Sequence, residues 1–497
     1  MFLYQIFQNN LEIITSEFFI TLIVLTILLF CVYLTLMFQT SKKITDSLQI
    51  PLIFYFLLFA LLLNYYLPNS VNLKVNGVLI YDELSKFIHL ILLASLSIYL
   101  LLQRVILKKQ KNYYFEINIL LLLSVLGLIL LNSSYHLLAL YLTLELQSLS
   151  FYVLAASNKN SPISAEAALK YFILGAIASG FILYGMSLIY GVTGTLNFGN
   201  IFLILTHINQ YESLQFLTVF FYGLMFLTSG LLFKIGAAPF HAWLPDVYEG
   251  SPNHITAFFA IVPKIALIGL LIRIFFDVCN DIFQFFTYIF YFCSLFSIII
   301  GSFVALQQKK IKRLLAYSSI SHIGFILIGF TVNSYQSLQS ILFYLVVYTI
   351  MTINIWSIFL SINFKNSAVK YLTELTNLSK LNPVLSSCLL INLFSMAGIP
   401  PLIGFFSKMF IFTTALKHSV YGLSIIGILL SVISAFYYIR LIKILYFDNS
   451  IIKNPIRIIT NYEAFIIITT SSFILTYFLF PEYVLIYIQK LILLFIL

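Results

Sequence analysis

The chain reads as an all-α polytopic membrane protein with about fourteen transmembrane helices, two of them broken, built around two inverted five-helix repeats. Three observations carry that reading. Of 497 residues, 61% are hydrophobic and only 9% charged, with a mean hydropathy of +1.02, whereas soluble domains carry roughly a quarter charged residues. The apolar residues fall in continuous runs of about 20, the length that crosses a bilayer as a helix, and not in the alternating segments of about ten that mark a β-barrel. Two of these runs are interrupted by glycine and proline in the same manner.

Along the chain the runs centre near Leu28, Leu57, Leu93, Leu126, Leu146, Ile177, Leu224, Ile265, Leu295, Leu327, Val347, Ser395, Leu430 and Ile468. The seventh carries Gly236-Ala237-Ala238-Pro239 just after Lys234. The twelfth carries Gly398-Ile399-Pro400-Pro401 and Gly404 just before Lys408. Proline lacks a backbone donor and crowds the preceding turn, so each helix should break or kink there. Unwound backbone at membrane depth is tolerated only where protein or water meets it. Interruptions in both halves of a transporter point to an ion site and an inverted repeat. The breaks lie five spans apart. That predicts four segments: 1–113 with spans one to three, 114–276 and 277–450 as the two repeats, and 451–497 with a last span. The loops are short except around Thr195–Leu214 and Asn363–Leu381, so no soluble domain is expected.

The net charge of +10 does not signal nucleic acid, because the basic residues follow the odd-numbered spans. They are Lys42 and Lys43; Arg104, Lys108, Lys109 and Lys111; Lys159; Lys309, Lys310, Lys312 and Arg313; Lys365, Lys370 and Lys380; and Lys443, Lys453 and Arg457. Loops after even-numbered spans hold little beyond Lys74, Lys86, Arg273 and Lys417. This bias orients the protein with its odd loops in the cytoplasm or matrix. The loop after the seventh span, HAWLPDVYEGSPNH, runs against the trend, since its charges are Asp246 and Glu249. Trp243 and the prolines there suggest a rigid turn.

Cys31, Cys279, Cys293 and Cys388 form no CxxC pair. Metal centres and disulfide frameworks need close or paired spacings, so the cysteines are expected as small buried hydrophobes. No GxGxxG or P-loop pattern is present, and no cofactor or metal is expected in this chain. The opening MFLYQIFQNNLEIITSEFF lacks Arg and carries Glu12 and Glu17, unlike a transit peptide, and no basic region precedes the first run, unlike a signal peptide. Phe 50 and Tyr 33 exceed Gly 20 and Pro 12. Residues with A/T-rich codons are favoured, which points to an organelle-encoded protein, although some bacteria share the bias.

Ionisable groups inside the spans carry the chemistry. Lys234, Lys264, Lys408 and Glu145 all lie in apolar runs. A charge at bilayer depth costs at least ~2.5 kcal/mol, so such groups read by default as an ion or proton path. A desolvated amine gives up its proton more readily than one in water, and a carboxylate beside it opposes that. Arginine is effectively never deprotonated, so lysine suits a relay. His322, in SSISHIGF, lies between two of the lysines and titrates near neutral pH, as a relay or as a packing residue. Ser318, Ser319 and Ser321 around it suit bound water. His241 follows the seventh-span break, where capping and proton entry are both open; His89 and His136 lie at span ends and read as structural. Glu166 and Lys170 have the favourable i, i+4 spacing of a helical ion pair. The many tyrosines read mostly as interfacial or packing residues.

The phrases ELQSL, EAALKYF, PFHAWLPDVYEGSP, KKIKRLLAYSSISHIGFILIGF and FSMAGIPPLIGFFSKMFIF span roughly Leu140 to Phe412. Through them the chain resembles the antiporter-like membrane subunits of respiratory complex I, on the branch with lysine at 408 where some siblings have glutamate. The resemblance implies the two inverted repeats and one proton path of a redox-driven pump. It implies Glu145 and Lys234 as an ion pair, Lys264 as the central relay and Lys408 as the terminal lysine. It places FMN, iron–sulfur clusters and ubiquinone in partner subunits, alongside sibling antiporter-like subunits and membrane lipids, in the mitochondrial inner membrane. A bacterial plasma membrane and a plastid thylakoid remain open, as do a Mrp-type cation/proton antiporter and a passive scaffold.

Overall fold

The computed structural model describes residues 45–66, 73–75, 77–107, 116–158, 160–207, 214–280, 282–364, 367–376, 378–448 and 459–496. The first expected span, near Leu28, lies outside them, as do Cys31, Lys42, Lys43, Lys108, Lys109, Lys111, Lys159, Lys365, Lys453 and Arg457. The other thirteen centres all fall on helices. Eleven of these are long and apolar enough to cross a membrane, and Ile53–Tyr65 and Pro383–Ala397 are shorter apolar helices.

In chain order the helices are α1 (Thr45–Tyr66), α2 (Glu83–Leu107), α3 (Glu116–Ser133), α4 (Leu137–Ala155), α5 (Pro162–Thr193), α6 (Phe198–His207), α7 (Leu214–Ile235), α8 (Trp243–Gly250) and α9 (Asn253–Ile272). They continue as α10 (Phe283–Gln307), α11 (Ile311–Gly329), α12 (Tyr335–Ser361), α13 (Leu378–Leu381), α14 (Pro383–Ala397), α15 (Ile403–Lys417), α16 (Tyr421–Tyr446), α17 (Asn461–Thr476) and α18 (Glu482–Ile496). A hairpin of Leu73–Val75 with Leu79–Tyr81 precedes α2, and a shorter one pairs Asn363–Phe364 with Ser367–Ala368. The two long loops therefore hold α6 in one case and a hairpin with α13 in the other. The last segment holds one candidate span, Asn461–Leu479, and a further helix, α18, that starts directly after Pro481.

Capping residues fix several starts. Ser161 accepts from Ser164 N–H ahead of Pro162, Asn382 accepts from Leu385 N–H ahead of Pro383, and Ser334 with Ser337 closes a capping box on α12. The packing is concentric. α9 is buried from His254 to Ile272, and α12 is buried along most of its length. Around them, α5, α16 and α17 bury one face and turn Ile173, Ile177, Val432, Phe436 and Phe465 outward. An apolar outer surface of this extent suits lipid or neighbouring subunits, not water. α9 continues as a π-turn over Arg273–Val278.

Both predicted breaks are present and share one local geometry. α7 stops at Ile235, Gly236 adopts φ +81°, and the Ala237 N–H reaches back to the Leu232 carbonyl. α14 stops at Ala397, Gly398 adopts φ +86°, and the Ile399 N–H reaches back to the Phe394 carbonyl. Only glycine adopts such φ values without a steric cost. A cis X-Pro bond follows in each, at Ala238-Pro239 and at Pro400-Pro401.

Two residues expected in loops are instead interior. Lys86 and Arg273 are buried, and Arg273 is fully enclosed. Its guanidinium donates to both carboxylate oxygens of Asp82 at 2.9 and 2.8 Å and to the Asn132 carbonyl at 3.1 Å. The partner lies 191 residues away, so nothing local in the sequence announces the pair.

Candidate functional site

Lys234 occupies the last turn of α7, where the helix dipole is negative and favours a cation. Its side chain is 7% exposed. The indole N–H of Trp243 donates to the Phe233 carbonyl at 2.8 Å, closing one backbone group freed by the break. The Lys234 amine lies 6.0 Å from the centre of the Tyr152 ring. Among the described residues, neither Lys234 Nζ nor Glu145 Oε1 has a hydrogen-bond partner, and no ion pair joins them. The expected pair is therefore open. Glu145 is half-buried on α4, and its other oxygen accepts from Ser148 Oγ at 3.3 Å.

A cavity of about 20 Å³ lies between Lys234 and Lys264, lined also by Gln147, Ser148, Tyr171 and Trp243. That is room for about one water molecule. Lys264 sits midway along the enclosed α9, 3% exposed, beside Pro263. Its amine donates to Tyr348 Oη at 3.0 Å, and the Tyr248 and Tyr348 rings flank it at 5.8 and 5.4 Å. Tyr348 lies on α12, so this bond joins the middles of the two most enclosed helices.

His322 on α11 follows. Its ring centre is 5.7 Å from that of Tyr348. Nδ1 is 2.7 Å from Tyr344 Oη, and Nε2 is 3.2 Å from Tyr438 Oη. Both nitrogens are thus held by hydroxyls, which donate or accept as the tautomer requires. Phe325, one turn on, has its ring 6.4 Å from His322 and 5.1 Å from the Lys408 amine. Lys408 is 6% exposed. It donates to the carbonyls of Met396 at 3.1 Å and Ala397 at 2.8 Å, the open end of α14. The four basic groups of the sequence reading therefore follow one another through the protein core. Ser318, Ser319 and Ser321 each donate to a carbonyl three residues earlier in α11.

The tyrosines around Lys264 and His322 escaped the sequence reading, having no mark beyond lying mid-run. The acidic seventh loop also acquires a reason. Asp246 accepts from Lys170 at 3.1 Å and from Arg313 at 2.7 Å. Glu249 accepts from Lys310 and forms an ion pair with Arg313 at 2.7 Å. Glu166 pairs with Lys170 at 2.8 Å, as its spacing predicted. The acidic loop thus shares a side with the basic ninth loop and neutralises part of it. Burial pushes the Asp246 carboxyl up, but bonds from Arg313 and Lys170 outweigh it and hold it below its usual range. Burial lowers the pKa of His241, which follows the first break. His89 bonds the Ile129 carbonyl and His136 caps α4, both structural roles. Cys279, Cys293 and Cys388 are buried free thiols.

Residues 134–434 match the family described as NADH:quinone oxidoreductase/Mrp antiporter, transmembrane. The chain is 43% identical over 418 residues to NADH-ubiquinone oxidoreductase chain 2 of Marchantia polymorpha, covering 84% of each. It is 38% identical over 478 residues to NADH-quinone oxidoreductase subunit N of Pelagibacter ubique, covering 96% of this chain and 98% of that one. Among solved structures it resembles a chain of respiratory complex I from Thermus thermophilus with bound aureothin. The TM-score is 0.75 at 29% identity, over 93% of this chain and 98% of that one.

Proposed function

Because the chain belongs to the NADH:quinone oxidoreductase/Mrp antiporter transmembrane family, we propose that it is a membrane-arm subunit of an NADH:quinone oxidoreductase and carries one proton route through its centre. Its relatives over nearly the whole length bear the names of subunit N and chain 2 of that enzyme. The FMN, iron–sulfur clusters and ubiquinone would sit in partner subunits, with sibling antiporter-like subunits and lipid against the apolar faces. The protein is multi-pass, and its residue usage favours the mitochondrial inner membrane over a bacterial plasma membrane.

One observation carries the reading: three lysine amines and a histidine, each at most 7% exposed, succeed one another through the enclosed core. Glu145 and Lys234 form the switch. With the carboxylate apart, as here, the amine is free to pass its proton toward the cavity; with it close, the proton is held. Lys264 is the central relay, and Tyr348 links it to the His322 cage. His322 passes the proton toward Lys408, which the α14 carbonyls keep in place. The matching geometry of the two breaks, at 236–239 and 398–401, supports the inverted repeats of residues 114–276 and 277–450.

The test is Lys264→Ala in the intact enzyme in proteoliposomes. Removing a positioned proton carrier should slow proton transfer by about a hundredfold, collapsing the proton gradient formed per NADH. Full pumping by a normally assembled variant would leave the chain a scaffold. Purification without flavin and iron–sulfur subunits would favour a Mrp-type exchanger instead.

A further inference from the structure

Two rings that line the Lys234–Lys264 cavity sit on the same helices as the charged rim on the basic-loop side. Tyr171 and Trp243 both line the cavity and are nearly buried, at 5% and 6% exposed. Their rings stack with centres 4.6 Å apart and planes 8° from parallel. Tyr171 also meets Tyr152 edge-on at 4.9 Å, the ring beside the Lys234 amine. The ion-pair cluster is borne by the same two helices and by α11. Lys170 precedes Tyr171 on α5, and Asp246 lies one turn after Trp243 on α8. The Lys170–Asp246 bond at 3.1 Å therefore ties together the two short segments that carry the two rings. Arg313 holds Asp246 from α11, and Lys310 and Arg313 hold Glu249 at the far end of α8. The Trp243–Phe233 bond fixes the indole to the residue next to Lys234.

We infer that the Tyr171–Trp243 stack is the entry gate between the basic-loop side and Lys234, and that Asp246, bridging Lys170 and Arg313, is the latch that holds it shut. A face-to-face aromatic pair excludes water, so no chain of hydrogen-bonded waters crosses it while it is closed. Opening requires α8 to swing away from α5, which means breaking pairs that are partly solvated and individually weak. A weak latch suits a gate that must open in every turnover. The inference rests on the proton route proposed above and adds to it the control of its entrance.

The experiment uses the whole enzyme in proteoliposomes with quinone reduction blocked, and reads passive proton influx under an imposed pH gradient. Trp243→Ala removes the stack and should raise the leak several-fold. Trp243→Phe restores an aromatic face and should fall between that variant and the parent. The leak of Trp243→Ala should disappear when Lys234→Ala is added, because the path beyond the gate is then cut. Asp246→Asn, at the half-exposed rim, tests the latch without opening the core and should raise the leak about twofold to threefold. A normally assembled Trp243→Ala with no extra leak overturns the gate. A leak that persists with Lys234→Ala also overturns it, since protons would then be passing elsewhere. If Trp243→Ala fails to assemble, Trp243→Phe and Asp246→Asn decide: unchanged influx in both overturns the gate and its latch. A gate that fails while Lys264→Ala abolishes pumping leaves the proton route standing; both failing removes both.

Discussion

The two broken helices share a backbone and differ in what they do with a lysine. At the first break, Lys234 precedes the glycine and sits on the half-helix that ends there; its amine has no hydrogen-bond partner among the described residues. At the second, Lys408 follows the glycine by ten residues and reaches back to two carbonyls of the preceding half-helix. One amine is free to respond to a carboxylate, and the other is anchored to fixed dipoles. A helix break at membrane depth thus supplies a place for a charge without dictating how tightly it is held. The looser amine lines the cavity, and the tighter one is held at the end of α14.

The comparison breaks most directly on stability. Lys408→Met keeps the length but leaves the Met396 and Ala397 carbonyls without their donor, at a cost of about 1–3 kcal/mol for each buried group. Lys234→Met removes no bond and should cost close to nothing. Thermal unfolding of the purified complex, followed through this subunit, reads the difference; equal losses would erase the distinction between anchored and free. Next in size are the glycines. Gly236→Ala and Gly398→Ala each force a side chain into the left-handed region, costing roughly 1–2 kcal/mol. The added Cβ at 398 would also lie 3.0 Å from Lys408 Cδ, whereas at 236 it would press on Leu244 instead. Proton pumping should therefore fall further in the 398 variant than stability alone explains, and equal pumping in the two would contradict this.

The smallest expected effect is that of pH on the rim that ties α8 to α5 and α11. Asp246 is held below its usual range by Arg313 and Lys170, against burial that works to raise it. Its contribution is full above the ordinary carboxylate value of about 4 and is lost as pH falls through the lower folded value. Melting temperature should show no loss from this group between pH 7 and 5, then decline toward pH 3. Asp246→Asn should remove that acid-side decline and change Tm at neutral pH by no more than about 2 °C. A decline of the parent beginning above pH 5 would place its cause elsewhere.

Much of this was legible in the sequence because it violated the local pattern. A lysine or a glycine–proline cluster in an apolar run stands out, and Lys234, Lys264, Lys408, His322 and both breaks were found that way. What stayed hidden did not violate anything. Tyr348, Tyr344 and Tyr438 are three among 33 tyrosines, and only the fold brings their hydroxyls to an amine and an imidazole. The Arg273–Asp82 pair and the Arg313–Asp246 pair join residues far apart in the chain, so charge counting put Arg273 in a loop and left the acidic seventh loop an exception. The Glu145–Lys234 bond that the resemblance implies is absent among the described residues, and spacing along the chain does not set the distance between side chains on two different helices.

The Arg273–Asp82 bond ties inheritance at one end of the chain to inheritance in its middle. Asp82 stands just ahead of α2, so a lineage that sheds the segment before residue 83 would leave the enclosed Arg273 with the Asn132 carbonyl and the more distant Asp277, at 3.9 Å, in place of a two-pronged carboxylate. Shortened descendants of this chain should therefore carry an apolar or small residue at position 273, or draw Asp277 into a closer pair with it. An engineer trimming the amino-terminal helices would have to make the same exchange first.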